Sequence, residues 1–172
     1  RADETASVVA FAKVMAEMLD RLGLPFVVIG DRDVTVSRLM GKTIAVLPHN
    51  PGMPLRVADE LAEFVAGGGK LLAFYTLPPQ LAEMAGIRSG AHLRASRPGR
   101  FASIRATGNG LPGLPAVVGQ RSWNIHRAEP VAGRSRVAAT WFDDQGESTG
   151  EAAIVASDRC LFMTHVLLAD DA

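Results

Sequence analysis

Residues 43–76 constrain the fold more tightly than any other stretch. They read TIAVLPHNPGMPLRVADELAEFVAGGGKLLAFYT. Residues 44–47 are a short continuous apolar run, the pattern of a strand covered on both faces. Pro48, Pro51 and Pro54 end it. Over residues 55–66, Val57, Ala58, Leu61, Phe64 and Val65 recur at helical spacing on one side, with Asp59, Glu60 and Glu63 on the other. Gly67, Gly68 and Gly69 supply the left-handed residue that closes such a helix, and residues 71–75 form a second apolar run. A strand, a crossover helix and a second strand make a parallel pair within a sheet that carries helices on its faces.

The flanking chain extends this pattern. Over residues 3–22, Val8, Phe11, Met15, Met18, Leu19 and Leu22 repeat every three or four positions, which predicts the longest helix, stopped by Gly23 and Pro25. Residues 26–29 read as another buried strand, and residues 36–40 as a short helical turn. A doubly wound domain opens with a strand, whereas this chain opens with a helix. The expectation is therefore a first strand upstream of Arg1, or an unusual strand order. Pro78 and Pro79 start a helix over 80–85, closed by Gly86.

Beyond Ser89 glycine, proline and arginine rise and helical periodicity disappears. Residues 101–107 alternate like a strand with one wet face, and residues 108–119 read as a loop. Residues 136–142 and 151–156 flank a turn at 143–147 and predict a hairpin, and residues 160–167 predict a last strand of the main sheet. The expected architecture is α/β: a three-layer, flavodoxin-like open sheet, mostly parallel, with a β-rich C-terminal portion. It is read as a single domain over 1–172, with a parallel part at 1–88, an irregular and hairpin insertion at 89–159, and the last strand at 160–172.

Composition narrows the function classes. With 172 residues, 48% hydrophobic and 21% charged, the chain has enough apolar material for one real core. Eighteen basic residues balance eighteen acidic ones, so no global field attracts nucleic acid or an anionic membrane. Arg88, Arg94, Arg97, Arg100 and Arg105 cluster locally and read as a solvated face. No apolar run approaches the length of a membrane helix. Cys160 is the only cysteine, which excludes an internal disulfide and a multi-cysteine metal site. Neither a metal nor another cofactor is expected.

In open parallel sheets, ligands collect beyond the carboxyl ends of the strands. Position alone therefore nominates Asp31 and Asp33, His49 and Asn50, Tyr75 and Thr76, and His165 with Asp170 and Asp171. Each has a structural alternative. Asp31 and Asp33 read first as caps of the turn before Val36. His49 and Asn50 read as loop residues satisfying backbone groups, Tyr75 as packing with its hydroxyl at the rim, and His165 as a core histidine. His92 and His126 carry no signal. The triple glycine precedes a strand instead of opening a helix, so it is not a phosphate loop.

Residues 18–87 resemble the class I glutamine amidotransferase-like fold, above all the variants attached to glycoside hydrolases, such as the trimerisation domain of β-galactosidases and modules beside family-10-like hydrolases. The resemblance rests on LDRLGLPF at 19–26, IAVLP at 44–48, FVAGGGKL at 64–71 and FMTHVLL at 162–168. It does not place residues 89–159. Enzymes of that superfamily hold a nucleophilic cysteine at a sharp strand-to-helix turn, with a histidine and an acid downstream. The corresponding turn here reads Tyr75-Thr76-Leu77-Pro78, without cysteine or serine, and Cys160 begins a different strand. The resemblance thus implies a module that has lost acyl-transfer chemistry and belongs to a larger carbohydrate-active or cell-surface protein, with an extracytoplasmic setting. Its implied partners are other domains of the same polypeptide, carbohydrate, or a second copy, and neither nucleic acid nor a membrane interior. The competing class is a hydrolase with His49 or His165 as base and Asp31 or Asp170 as its partner, and a small-molecule sensor is a third. A hydrolase predicts a deep polar pocket at the strand ends. A module predicts a shallow edge and exposed apolar surface elsewhere.

Overall fold

The computed structural model describes residues 2–108 and 111–167. Asp170 and Asp171 lie outside the described residues. The elements in chain order are α1 (Ala2–Arg21), a 3₁₀ turn (Asp31–Asp33), α2 (Val36–Leu39), β1 (Ile44–Leu47), α3 (Leu55–Ala66), β2 (Lys70–Phe74), α4 (Pro79–Ala85), β3 (Ile87–Arg94), β4 (Ser103–Ala106), β5 (Val117–Val118), β6 (Asn124–Pro130), β7 (Ser135–Phe142), β8 (Ser148–Ser157) and β9 (Cys160–Met163).

The glycine stops act as their positions require. After α1, Gly23 takes φ 65°, and the amides of Gly23 and Leu24 return to the carbonyls of Asp20 and Leu19. This pair of bonds satisfies carbonyls that the helix end would otherwise orphan. After α3, Gly68 takes φ 107°, and the amides of Gly68 and Gly69 return to Val65 and Phe64 in the same way. The chain is then aimed into β2.

β1 and β2 pair in parallel around α3, and β9 adds in parallel on the far side of β2. Side chains alternate across this three-strand end. Leu47, Leu71, Ala73 and Phe162 join Val57, Leu61, Phe64 and Val65 of α3 in one core. Val46, Leu72, Phe74 and Met163 join Met15 and Leu19 of α1 in the other. Burial on both faces is why these strands read as unbroken apolar runs.

From β9 onward the sheet changes character. Its order is β1-β2-β9-β8-β7-β4-β5, and β9·β8, β8·β7, β7·β4 and β4·β5 are all antiparallel. β3 and β6 form a separate antiparallel ribbon. The second core fills beneath these strands, around Trp141, Phe101, Ile104, Ile125 and Ile154.

This corrects the expected mostly parallel, three-layer flavodoxin-like sheet. Strand accounts for 34% of the chain and helix for 27%, and the seven-stranded mixed sheet curls into a β-rich half-barrel. Only the β1-β2-β9 end carries helices on both faces. The physical reason is that β9 meets β8 in antiparallel register and the sheet continues antiparallel from there, while residues 87–94 and 124–130, read as irregular from sequence, pair as β3 and β6 in the separate ribbon. Residues 26–29 are a second correction. They form no strand, and Phe26, Val27 and Val28 are 40, 65 and 68% exposed. A strand is made by its neighbours, and among the described residues these four have none. β1 is accordingly an edge strand, with Ile44 52% exposed.

Candidate functional site

Tyr75 is the one non-glycine residue of the described chain with positive φ, at 64°. Its own amide bonds back to the Met163 carbonyl of β9, and the Thr76 amide turns onto the Phe74 carbonyl. That bond, from one residue to the next but one, closes a γ-turn with Tyr75 at its centre. The positive-φ form of this turn is rare and strained, at about 1–3 kcal/mol for a bulky residue. The surrounding pairing of β2 with β1 and β9 holds it. Leu77 and Leu81 then anchor the start of α4 in the core.

The turn delivers the Tyr75 ring into a cluster from distant parts of the chain. His49, after β1, lies 5.6 Å from it between ring centroids, and Phe11 of α1 meets His49 edge-on at 5.3 Å. His92 of β3 and His126 of β6 meet the Tyr75 ring edge-on at 6.2 and 6.0 Å. His92 and His126 face each other directly across the ribbon. Asn124, two residues before His126 and so on the same strand face, donates from Nδ2 to the Tyr75 hydroxyl at 3.1 Å and to His92 Nε2 at 2.9 Å.

Chemistry follows from those bonds. An amide nitrogen only donates, so His92 Nε2 accepts, and neutral His92 carries its proton on Nδ1. The Tyr75 oxygen accepts from Asn124, so its own hydrogen points away and can be donated. Burial raises the Tyr75 pKa, which keeps the phenol protonated. Burial, and secondarily His92, lower the His126 pKa and favour the neutral ring. Two further polar atoms at this edge, Asn50 Nδ2 and Thr76 Oγ1, are shielded from solvent and bonded to nothing among the described residues. Each such atom costs about 1–3 kcal/mol, a cost that structures tend to tolerate where function requires it.

The structure therefore brings His49 and Tyr75 together. It places Asn50 and Thr76 next to them in the chain. Asp31 is exposed in the 3₁₀ turn, where its carbonyl accepts from Arg56. The cap of α2 is Thr35, whose hydroxyl takes the Arg38 amide, so neither Asp31 nor Asp33 caps that helix. His165 is 2% exposed and stands edge-on to Trp141 at 5.6 Å, inside the second core. Cys160 is buried on the sheet, and desolvation pushes its pKa up to about 12, far from a reactive thiolate. Sequence reasoning missed His92, Asn124 and His126. The available signal was the two-residue spacing of Asn124 and His126 around the apolar Ile125, which is a strand period.

A cleft of about 570 Å³ also lies elsewhere, lined by Thr107, Arg127, Glu129, Thr140 and Glu151. Within it Arg127 and Glu151 close on each other through both carboxylate oxygens, leaving that pair's charge compensated. At the aromatic cluster, by contrast, uncompensated polar groups converge on a strained turn. Among the described residues no group of three or more His, Cys, Asp or Glu is placed to hold a metal ion. No helix among them is long and apolar enough to cross a membrane.

No family model matches the chain, and no curated protein matches it. Solved structures do. A protein assigned as a GMP synthase subunit, from Thermoplasma acidophilum, superposes with a TM-score of 0.59 at 14% identity, over 90% of this chain and 77% of that one. An exo-β-1,4-mannosidase from Opitutaceae bacterium strain TAV5 gives 0.58 at 12% identity, over 92% of this chain. This chain spans only 27% of the mannosidase. At such identities the likeness is one of fold, and the resemblance to glutamine amidotransferase-like proteins holds at that level.

Proposed function

We propose that the chain is an accessory module of a larger carbohydrate-active protein, built on an amidotransferase-like fold and without acyl-transfer activity of its own. The observation that carries this reading is Tyr75 at the centre of the γ-turn after β2. That turn is where the resemblance would put a nucleophilic thiol beside backbone donors. Here it holds a phenol kept protonated by burial, engaged by Asn124, and followed by Pro78, which has no amide hydrogen. The chain's one thiol is buried in the core.

Two further observations agree. The similar region is only 27% of the mannosidase, consistent with one unit among several. Large apolar side chains are also exposed at Leu22, Leu24, Val27, Val28, Met40 and Ile44. Domain packing is the use that the module reading assigns to them. The test is a turnover screen of the purified chain with glutamine, aryl esters and aryl glycosides. The expected result is no release of ammonia, phenol or sugar above buffer. Turnover that disappears in Tyr75→Phe would overturn the reading and make this edge an active site.

A further inference from the structure

We propose that Tyr75, His92, Asn124 and His126 form a binding site for a neutral, polyhydroxylated ligand, of which a saccharide ring is the best-fitting class. The inference rests on the accessory reading and names what that module holds.

Charge comes first. The hydrogen bonds and ring contacts of these four side chains involve no Lys, Arg, Asp or Glu side chain among the described residues. Arg94 faces Asn124 in register across the ribbon but lies over the Trp123 ring, and none of the four side chains bonds a carboxylate. The four side chains thus offer uncharged hydrogen-bonding groups, which suit a neutral ligand. Hydrogen-bonding capacity comes next. Asn124 spends both amide hydrogens on Tyr75 and His92. It thereby fixes the ring orientations and leaves its own Oδ1 as an acceptor. Tyr75 is left with an O–H to donate, and the His126 ring adds a further polar edge. A donor and an acceptor held side by side suit adjacent hydroxyls, each of which both gives and accepts.

Shape agrees with this. The cluster is open: His92 and Ser89 are exposed, and Tyr75, Asn124 and His126 are half-buried. Aromatic rings with polar tips give apolar faces for C–H groups beside donors for hydroxyls, the mixed surface that a sugar ring presents in return. One residue along the chain, Trp123 is 66% exposed, with Arg94 over its ring at 5.9 Å.

The experiment is a titration of the labelled protein with β-1,4-mannotriose, cellotriose and inorganic phosphate, read by amide and imidazole resonances. A trisaccharide should shift signals of Tyr75, His92, Asn124 and His126 and saturate in the millimolar range. Tyr75→Phe and Asn124→Ala, each checked for a native spectrum, should weaken binding by about tenfold. Saturation by phosphate alone, or saccharide shifts confined to other residues, overturns the site. So does the absence of any shift at about 50 mM, a concentration that would reveal even very weak affinity. Any of these results leaves the accessory reading standing. Hydrolysis of the bound trisaccharide supports the site and overturns the accessory reading alone.

Discussion

The two ends of the seven-stranded sheet are built on opposite rules. At the β1-β2-β9 end, parallel strands lie between α1 and α3, and every side chain but the outermost finds an apolar neighbour. At the β8-β7-β4-β5 end, antiparallel strands curl over a core centred on Trp141, and the β3–β6 ribbon packs close to β8. At the first end β1, α3 and β2 follow one another directly, and β9 joins them from far along the chain. The second joins the local hairpin of β7 and β8 to β4 by register between strands well apart in the chain, as in the pairing of Ile104 with Trp141. The polar cluster sits where they meet, since Tyr75 leaves the parallel end and His92, Asn124 and His126 come from the ribbon. Its parts therefore depend on both ends folding together.

Truncating each core tests that dependence most directly. Trp141 is fully buried, meets Phe101 and His165 edge-on, and donates from Nε1 to the Thr164 hydroxyl at 3.0 Å. Trp141→Ala should cost about 3–5 kcal/mol in urea unfolding, from lost burial and a cavity. Leu81, fully buried in the helix-covered core, should cost about 2–4 kcal/mol as Leu81→Ala. Because β2, β9 and β8 run through both cores, each variant should shift one shared transition. Two separable transitions would show that the ends are independent.

A smaller effect is expected at the turn into β2. A methyl group on Gly69 would stand 2.3 Å from the Phe64 ring, so ring and strand must move apart. Gly69→Ala should cost about 1–3 kcal/mol by thermal or urea unfolding. A cost near zero would mean that the parallel end is looser than its packing indicates.

The smallest effect concerns pH at the junction. Burial and His92 lower the His126 pKa below its ordinary value of 6.5. Below that value the unfolded chain binds a proton that folded His126 resists, so the unfolded state gains. The contribution is present in full above pH 6.5 and is lost as pH falls through the folded value. Melting temperature should fall across that interval, and His126→Gln should flatten the decline. An unchanged profile would remove His126 from the coupled cluster.

The parallel end was legible for a local reason. Residues 55–66 and 70–74 record in their own spacing which sides are covered, and the glycines after Ala66 record where the helix must stop. Residues 26–29 show the limit of that reading. Their apolar run matches a buried strand, yet strand identity requires a partner, and the described chain supplies none. The ribbon failed in the other direction. Arg88, His92, Arg94, His126, Arg127 and Glu129 look like a solvated loop, because a two-stranded ribbon with much of its surface exposed needs few apolar positions.

Sequence by itself determined α1, α3 and α4, the strands β1, β2 and β9, the hairpin of β7 with β8, and the lack of a thiol at the turn after β2. Each depends on residues within a few positions of one another. Only the tertiary structure decided that the sheet is mixed and curled, that Tyr75 is strained into a γ-turn, and that Asn124 reaches it from 49 residues away. Those outcomes are set by strand register and loop closure between distant segments, which leave no periodicity in the local sequence.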